Sequence, residues 1–264
     1  MSAYETFREL HHGEQPLLLP NAWDHASAAA LHRRGFPAVG TTSLGVAAAA
    51  GLPDGSGAAR TETLALGRGL ARLPVPVSVD IEGGFSDDPA QVAALAGELA
   101  QAGVAGVNIE DGLPDGTLTD LRLHAAKITA VKEAAPELFV NARTDTHWLG
   151  VDATQAGTLR RCAAYAAAGA DGAFVPGLVA QDDIAALVRE LELPLNVLHS
   201  PGHHTYAQLA EAGVSRISLG SLLFRAALQH AVDLAWSIAA PHEARPSPVP
   251  GYAQVQGLHE DFGR

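Results

Sequence analysis

The chain has 264 residues, of which 47% are hydrophobic and 17% are charged, a balance that excludes a disordered chain and suits a globular domain of enzyme size. Its formal net charge of -12 argues against a nucleic-acid or anionic-membrane partner, because both would require a basic face. The single cysteine, Cys162, excludes an internal disulfide framework and a cysteine-rich metal site.

Short apolar segments alternate with alanine-rich segments of helical periodicity along the chain. The predicted strands are residues 17–22, 38–43, 75–82, 105–111, 138–144, 172–177, 193–200 and 216–221. Helices are predicted between them, for example over 88–103 and 153–169. Eight strand–helix units in a chain of this length predict an α/β fold with a closed (β/α)8 TIM barrel. A doubly wound open sheet is the alternative, but no Gly-x-Gly-x-x-Gly motif follows the first strand.

The strand–helix pattern continues to residue 240 without a linker. We therefore predict a catalytic barrel domain over 1–240. The following segment, 241–264, is rich in proline and lacks periodicity, so we predict an extended C-terminal tail there. In such barrels the functional residues lie at the carboxyl ends of the strands.

The third predicted strand ends in the sequence VSVDIEGGF, residues 77–85, which places two carboxylates two positions apart. Because side chains alternate across a strand, Asp80 and Glu82 are expected to point to the same face. Two like charges on one face repel each other unless a positive group lies between them. A metal ion or a cationic substrate group is therefore expected there.

The fourth and fifth predicted strands end in Glu110 and Arg143, which would face the same barrel mouth. Three carboxylates without cysteine suit a hard cation that prefers oxygen ligands, such as Mg²⁺ or Mn²⁺. Arg143 offers a planar fork for a carboxylate or an enolate oxygen. Asp111 is interpreted as a helix cap or loop residue, and Asp145 as lining either the entrance or a surface loop.

Several motifs occur in a characteristic order: TTSLGVAAAAGLPDG, VDIEGG, GVNIED, NARTD and GADGAFVPG. In this order and spacing the chain resembles the isocitrate lyase/phosphoenolpyruvate mutase superfamily over roughly residues 15–238. The resemblance implies a magnesium-dependent enzyme that acts on 2-oxo acids and related carboxylates. Such enzymes make or break a C–C or P–C bond next to an enolate.

The resemblance also implies roles for individual residues. Asp80, Glu82 and Glu110 correspond to the magnesium cluster, which holds the ion directly or through water. Backbone N–H groups of Thr42, Ser43 and Leu44 would receive the substrate carboxylate, and Arg143 would hold the 2-oxo oxygen or carboxylate. Asp54 matches a loop aspartate near the metal and the reacting centre. Trp23 and Asp24 match a pocket-lining strand end, and Asn196, at the end of the seventh strand, is a further predicted substrate-binding residue.

The segment after the fourth strand, 110–127, lacks the Lys-Lys-Cys-Gly-His core that supplies the acid/base cysteine in lyases of this superfamily. The Lys-x-Asn element of the phosphonate mutases is also missing. Decarboxylation of an oxaloacetate- or 2-oxoglutarate-like substrate therefore fits best, because carbon dioxide leaves without a protein acid. The alternatives are hydrolysis, a phosphonomutase-like reaction, cleavage of a hydroxy diacid with Asp54 or His199 as base, and metal-dependent binding of a 2-oxo acid without catalysis.

The last predicted helix, 221–240, is long and amphipathic enough to pack on another subunit. The superfamily exchanges its last helix between subunits, so the resemblance implies a homo-oligomer, either a dimer or a tetramer. The amino terminus is too polar for a signal peptide, and no apolar run is long enough to span a bilayer. We therefore expect a cytoplasmic protein whose partner, besides copies of itself, is a small-molecule 2-oxo acid.

Overall fold

A computed structural model describes residues 1–239 and 249–263. Its strands are β1 (Leu17–Leu19), β2 (Asn21–Ala22), β3 (Val39–Thr41), β4 (Val77–Asp80), β5 (Gly106–Glu110), β6 (Phe139–Arg143), β7 (Gly172–Val175), β8 (Leu195–Leu198) and β9 (Arg216–Ser218). All pairings are parallel, in the order β1-β9-β8-β7-β6-β5-β4-β3-β2. The predicted TIM barrel is thereby confirmed.

The barrel closes at Pro20, which divides the predicted first strand into β1 and β2. Proline has no backbone N–H and therefore cannot continue a hydrogen-bonded ladder as a donor. On one side of it β1 pairs with β9, and on the other side β2 pairs with β3. The two short strands together occupy one position in an eight-membered barrel.

The helices lie outside the sheet. Among the described residues they are α1 (Ala3–Leu10), α2 (His25–Arg34), α3 (Ser43–Ala49), α4 (Arg60–Leu70), α5 (Pro89–Gln101), α6 (Leu121–Ala134), α7 (Thr146–Leu149), α8 (Gln155–Ala167), α9 (Gln181–Glu190), α10 (Tyr206–Glu211), α11 (Leu222–Ala239), α12 (Tyr252–Gln256) and a 3-10 helix (Gly257–Phe262). The helices predicted over 88–103 and 153–169 are α5 and α8, shortened at both ends. Asp88 caps α5, with Pro89 at the first helical position, and Thr154 caps α8.

The strands turn alternate residues outward and inward. Outward residues such as Val79, Ile109 and Ala142 pack against the helices in one apolar cluster. The inner faces carry an upper row of side chains at the carboxyl ends of the strands: Asp80, Glu110, Arg143, Leu198 and Ser218. A lower row lies two residues earlier on the same strands: Ser78, Asn108, Asn141, Asn196 and Arg216. At the amino-terminal end α1 closes the barrel, because Phe7 packs edge-on against Phe139 with ring centroids 5.3 Å apart.

The carboxyl-terminal part of the chain departs from the predicted extended tail. Residues 240–248 lie outside the described residues, but α12 and the 3-10 helix show that the end of the chain is helical rather than extended. The 3-10 helix packs on α2, where Arg33 Nε contacts Asp261 Oδ2 at 2.8 Å and Phe262 is buried. The prediction missed this because periodicity is weak in such short elements. In the described part of the chain, every helix is too short or too polar to cross a membrane.

Candidate active site

A cavity of about 320 Å³ opens at the carboxyl ends of the strands. Its polar lining consists of Asn21, Thr42, Ser43, Asp54, Asp80, Asn108, Glu110, Arg143, Asp145, Ser218 and Ser221. Its apolar lining consists of Leu44, Leu113, Pro114, Trp148, Leu149, Phe174, Pro176 and Leu198. The location is the one expected for the functional end of a (β/α)8 barrel.

Arg143, the last residue of β6, lies between two carboxylates. Its Nη1 contacts Glu110 Oε2 at 2.6 Å, while Nε and Nη2 donate to the two carboxylate oxygens of Asp145 at 2.6 and 3.0 Å. The guanidinium plane is therefore fixed, and its remaining N–H bonds are available to a ligand in the cavity. Although burial disfavours the charged form, Glu110 and Asp145 raise the pKa of Arg143, so that it remains a cation.

Asp145 is held by a second buried aspartate, Asp111. The backbone N–H of Asp145 donates to Asp111 Oδ1 at 2.8 Å. The other oxygen, Asp111 Oδ2, accepts from Tyr165 Oη at 2.6 Å and from Arg161 Nη1 at 2.9 Å. Asp111 thus supports Arg143 through Asp145 instead of capping a helix, and Asp145 lies in the cavity wall instead of a surface loop. The two-residue spacing of Arg143 and Asp145 was the signal in the sequence that could have revealed this pair.

The loop after β5 is a short, internally bonded hairpin over residues 111–119. Gly112 and Leu118 form an antiparallel bridge, and the N–H of Thr119 donates to the carbonyl of Asp111 at 2.7 Å. Glycine is required at position 112 because a Cβ there would overlap the carboxylate of Asp145. The hairpin places Leu113 at the rim of the cavity.

Besides Asp145, the carboxylates of Asp54, Asp80 and Glu110 line the cavity, but Glu82 does not. Strand β4 ends at Asp80, and Glu82 lies in the following turn with a φ of 49°. The alternation that predicted Asp80 and Glu82 on one strand face therefore does not apply. Glu82 instead accepts a hydrogen bond from the Gly57 N–H through Oε2 at 2.9 Å, while its Oε1 is buried and has no partner among the described residues.

The electrostatics of this cluster indicate a deficit of positive charge. Burial raises the pKa of Glu110 to about 8; Arg143 opposes the shift and neighbouring carboxylates, first Asp80, add to it. Burial likewise raises the pKa values of Asp80 and Glu82, and Asp54 adds to both shifts. A cation near these groups would relieve their mutual repulsion.

The donor set is compatible with Mg²⁺ or Mn²⁺, because it offers only carboxylate oxygens and one of them, Glu82 Oε1, lacks a partner. Within the described residues, however, no group of three or more His, Cys, Asp or Glu side chains could hold an ion by itself. Mg²⁺ commonly retains water molecules and takes further ligands from its substrate. Asp80 and Glu110, with Glu82 through water, could therefore hold such an ion only in a partly aqueous shell.

The residues predicted to receive the substrate carboxylate lie at the start of α3. Thr42 precedes the helix, and Thr42, Ser43 and Leu44 all line the cavity. A hydrogen bond from the Ser43 backbone favours the charged form of Asp80. The N–H of Thr42 donates to the carbonyl of Ala22 at 3.1 Å, so the N–H groups of Thr42 and Ser43 already have partners within the protein.

Other predicted residues lie elsewhere. Trp23 packs edge-on against Phe224 of α11, with ring centroids 5.5 Å apart, and is not part of the cavity lining. Asp24 caps α2 through its side chain. Asn196 is buried in the lower row, and His199 is not part of the cavity lining. The place of Asn196 near the end of a predicted strand gave no information about its depth inside the barrel.

The described residues that line the cavity include no cysteine, histidine or lysine. Cys162 is buried in α8, and burial raises the pKa of its thiol to about 12. The apolar part of the lining includes two aromatic residues, Phe174 from β7 and Trp148 from α7, and the Phe174 ring lies 5.6 Å from Arg143 Cζ. Sequence reasoning missed this part of the lining, because isolated apolar residues near strand ends carry no distinctive pattern.

The chain resembles several known proteins. Residues 7–239 match the model of the family described as Phosphoenolpyruvate phosphomutase. Over 257 residues the chain is 46% identical to the uncharacterized protein Rv1998c of Mycobacterium tuberculosis strain H37Rv, covering 97% of each chain. It is 33% identical to a 2-methylisocitrate lyase of Bacillus subtilis, covering 72% of this chain and 64% of that one. It is 32% identical to an oxaloacetate decarboxylase of Pseudomonas paraeruginosa, covering 62% and 58%.

Solved structures give the same picture of the fold. A crystal structure from Burkholderia cenocepacia J2315 superposes with a TM-score of 0.83 at 39% identity, covering 88% of this chain and 98% of that one. A phosphonopyruvate hydrolase in complex with oxalate and Mg²⁺ superposes with a TM-score of 0.86 at 22% identity, covering 99% and 96%. The second likeness concerns the fold alone.

Proposed function

Because the chain belongs to the phosphoenolpyruvate phosphomutase family, within the PEP mutase/isocitrate lyase superfamily, we propose that it is a magnesium-dependent carbon–carbon lyase. Its substrate would be a small 2-oxo acid with a second carboxylate, and the reaction a decarboxylation through an enolate. The observation that carries the proposal is the composition of the cavity: carboxylates, one fixed arginine and several apolar residues, with no proton-donating cysteine, histidine or lysine among the described lining residues.

The substrate would be oriented by the guanidinium of Arg143 and by hydrogen-bond donors at the start of α3. Arg143 would receive the 2-oxo oxygen or the adjacent carboxylate on its free N–H bonds. The N–H of Leu44 and the hydroxyl groups of Thr42 and Ser43 would receive the remaining carboxylate oxygens. Asp80 and Glu110, with Glu82 through water, would hold the metal. When bound, Mg²⁺ would supply positive charge where the enolate oxygen develops.

The apolar part of the lining favours loss of carbon dioxide. The electron pair of the breaking C–C bond passes into the enolate, and the departing carboxylate becomes neutral CO₂. A carboxylate that faces Phe174 and Leu149 is poorly solvated, whereas neutral CO₂ loses little there. Water then protonates the enolate carbon, which gives pyruvate when the substrate is oxaloacetate. Asp54 lines the same cavity and is proposed as a catalytic residue.

A panel of 2-oxo and 2-hydroxy diacids, assayed for pyruvate with Mg²⁺ and then with a chelator, tests this proposal. We expect metal-dependent turnover of oxaloacetate-like substrates and a loss of at least about 100-fold in Glu110→Gln and Arg143→Ala, because each removes charge from the reacting centre. Gly97→Ala, at a site with open space around the added Cβ, is the matched control. Turnover that survives the chelator or both site variants would contradict the proposal.

The absence of a cysteine, histidine or lysine among the described lining residues favours a second candidate, a protein that binds a 2-oxo acid with metal but does not convert it. Binding of oxaloacetate without release of pyruvate would support that candidate. Cleavage of 2-hydroxy diacids would be detected in the same panel.

We also propose that the chain forms a homo-oligomer through α11. Along Leu222–Ala239 no residue is buried, and Leu228, Val232, Trp236 and Ile238 are exposed. Exchange of this helix between subunits, a dimeric or tetrameric state and a cytoplasmic location remain predictions. Light scattering of the full chain in solution would test the assembly.

A further inference from the structure

The lower row inside the barrel is unusually polar. Inward-facing layers of such barrels are ordinarily filled by Val, Ile and Leu. Here the row consists of Ser78, Asn108, Asn141, Asn196 and Arg216, all buried. It lies directly beneath the upper row that contains the candidate metal ligands and Arg143.

Arg216 brings a positive charge into this row, and the row contains no carboxylate to pair with it. The residue is fully buried and forms no ion pair with any described residue. Phe7 of α1 lies under the guanidinium, with 5.8 Å from Cζ to the ring centroid. Burial lowers the pKa of Arg216 to about 9, which still leaves it charged at neutral pH. A buried, unpaired cation is costly and calls for a role other than stability.

The direct contact of Arg216 is Asn108. Its Nη2 donates to Asn108 Oδ1 at 3.1 Å, and Asn141 Nδ2 donates to the same oxygen at 2.9 Å. An arginine has only donors, so the amide of Asn108 must turn its oxygen towards Arg216. Both acceptor positions of Oδ1 are then occupied.

The Nδ2 group of Asn108 is left to face the cavity. Asn108 is one of the cavity-lining residues. Its Nδ2 has no hydrogen-bond partner among the described residues, and the atom is not sealed off from the cavity. Asn108 is also the direct neighbour of Asp80 across the β4–β5 pairing. A donor therefore points into the cavity beside a candidate metal ligand.

We propose that Asn108 is a catalytic residue whose Nδ2 donates a hydrogen bond to the substrate oxygen that becomes negative in the enolate, and that Arg216 is a positioning residue that orients and polarises this amide. The inference rests on the proposed enolate chemistry and extends it. The two hydrogen bonds to Oδ1 draw electron density from the amide and make its N–H bonds better donors. The charge of Arg216 thus acts at the cavity floor, where it interacts with Asp80 without forming an ion pair with any described residue.

Asn108→Asp and Asn108→Ala test the donor directly. Aspartate keeps an oxygen for Arg216 and Asn141 but replaces the donor with an acceptor, while alanine removes both. We expect each variant to lower kcat by about 100-fold with a much smaller change in KM, as for loss of one oxyanion donor. The thermal midpoint of Asn108→Asp should stay close to that of the wild type, because pairing of the new carboxylate with Arg216 offsets its repulsion from Asp80. A merely structural role would lower stability and activity together.

Arg216→Met and Asn141→Ser form a matched pair, since each removes one hydrogen bond from Asn108 Oδ1 but only the first removes charge. We expect kcat to fall about tenfold in Arg216→Met and by less than about threefold in Asn141→Ser. Equal effects of the two variants would overturn the role of Arg216. Activity within about threefold of wild type in both Asn108 variants would overturn the role of Asn108.

Oxalate, a planar dianion that resembles the enolate of pyruvate, separates this inference from the proposed function. Calorimetric titration with Mg²⁺ present should show weaker oxalate binding in both Asn108 variants than in the wild type, even if no substrate is turned over. Normal turnover with unchanged oxalate affinity in the variants would overturn this inference alone. A wild-type protein that neither binds oxalate nor turns over a 2-oxo acid would overturn both.

Discussion

Two arginines lie inside the barrel, and their surroundings differ completely. Arg143, in the upper row, contacts Glu110 and Asp145 and borders the cavity. Arg216, in the lower row, contacts a neutral amide and an aromatic ring, and forms no ion pair with any described residue. The charge of Arg143 stabilises the carboxylates that it contacts, whereas the charge of Arg216 has no carboxylate in contact with it. Removal of Arg143 should therefore lower stability, whereas removal of Arg216 should not. Both removals should lower turnover.

The largest effect is expected from Arg143→Met compared with Arg216→Met in the metal-free protein at pH 8. Loss of Arg143 leaves two buried carboxylates without their cation, which should lower the free energy of unfolding by about 3–5 kcal/mol. Loss of Arg216 removes an unpaired buried charge and should change it by less than about 1 kcal/mol or increase it. Urea unfolding of both variants measures the difference, and similar losses in the two would break the comparison.

The pH dependence of stability should follow the titration of the carboxylates in the upper row. Burial raises the pKa of Glu110 from 4.5 to about 8 in the folded protein, so the folded state binds a proton that the unfolded state has already released in this range. The free energy of unfolding should therefore fall as the pH rises from about 4.5 to about 8. Asp80, Glu82 and Asp145, whose pKa values burial also raises, act in the same direction.

Thermal unfolding in a chelator across this pH range measures that slope, and Mg²⁺ should flatten it because the ion replaces the protons. Glu110→Gln, which cannot titrate, is the control and should show a shallower slope. A metal-free protein whose stability instead rises from pH 5 to pH 8 would show that the acids are compensated by groups other than Arg143.

The smallest effect is expected when Asp145, the residue that holds Arg143 in position, is displaced. In Gly112→Ala the added Cβ would overlap Asp145 Oδ2, so Asp145 must move and release Arg143 Nε and Nη2. We expect a loss of about 1–3 kcal/mol in stability, together with reduced turnover. Gly97→Ala in α5, which meets open space, should instead gain about 0.5–1 kcal/mol. Unaltered activity in Gly112→Ala would show that the position of Asp145 does not matter for Arg143.

The sequence was sufficient for the barrel and for the location of its polar end. Alternating apolar strands and capped helices are local patterns, and the carboxyl ends of parallel strands meet at one end of a barrel. The position of Glu82 was not accessible in this way. Its side-chain direction depends on a positive φ in the turn after β4, which alternation cannot anticipate.

Depth inside the barrel was equally hidden. Asn196 and Arg143 both face inward near a strand end, but Asn196 is two residues before the end of β8, whereas Arg143 is the last residue of β6. The true end of each strand decides which residue reaches the cavity, and strand ends are poorly defined by sequence. The Asp111 network joins residues that are up to 54 positions apart, so no local pattern could indicate it.

The hairpin over residues 111–119 has a consequence for what happens to a reactive intermediate. Both of its ends are tied by backbone hydrogen bonds, so it forms a fixed rim rather than a cover that closes over bound substrate. A reaction that returns the departing group to the same molecule must keep water away until the second bond has formed. On the proposed enolate chemistry, a short tied rim of this kind favours protonation of the intermediate by water over its recapture by the departing group. The same loop would then favour a lyase over a mutase.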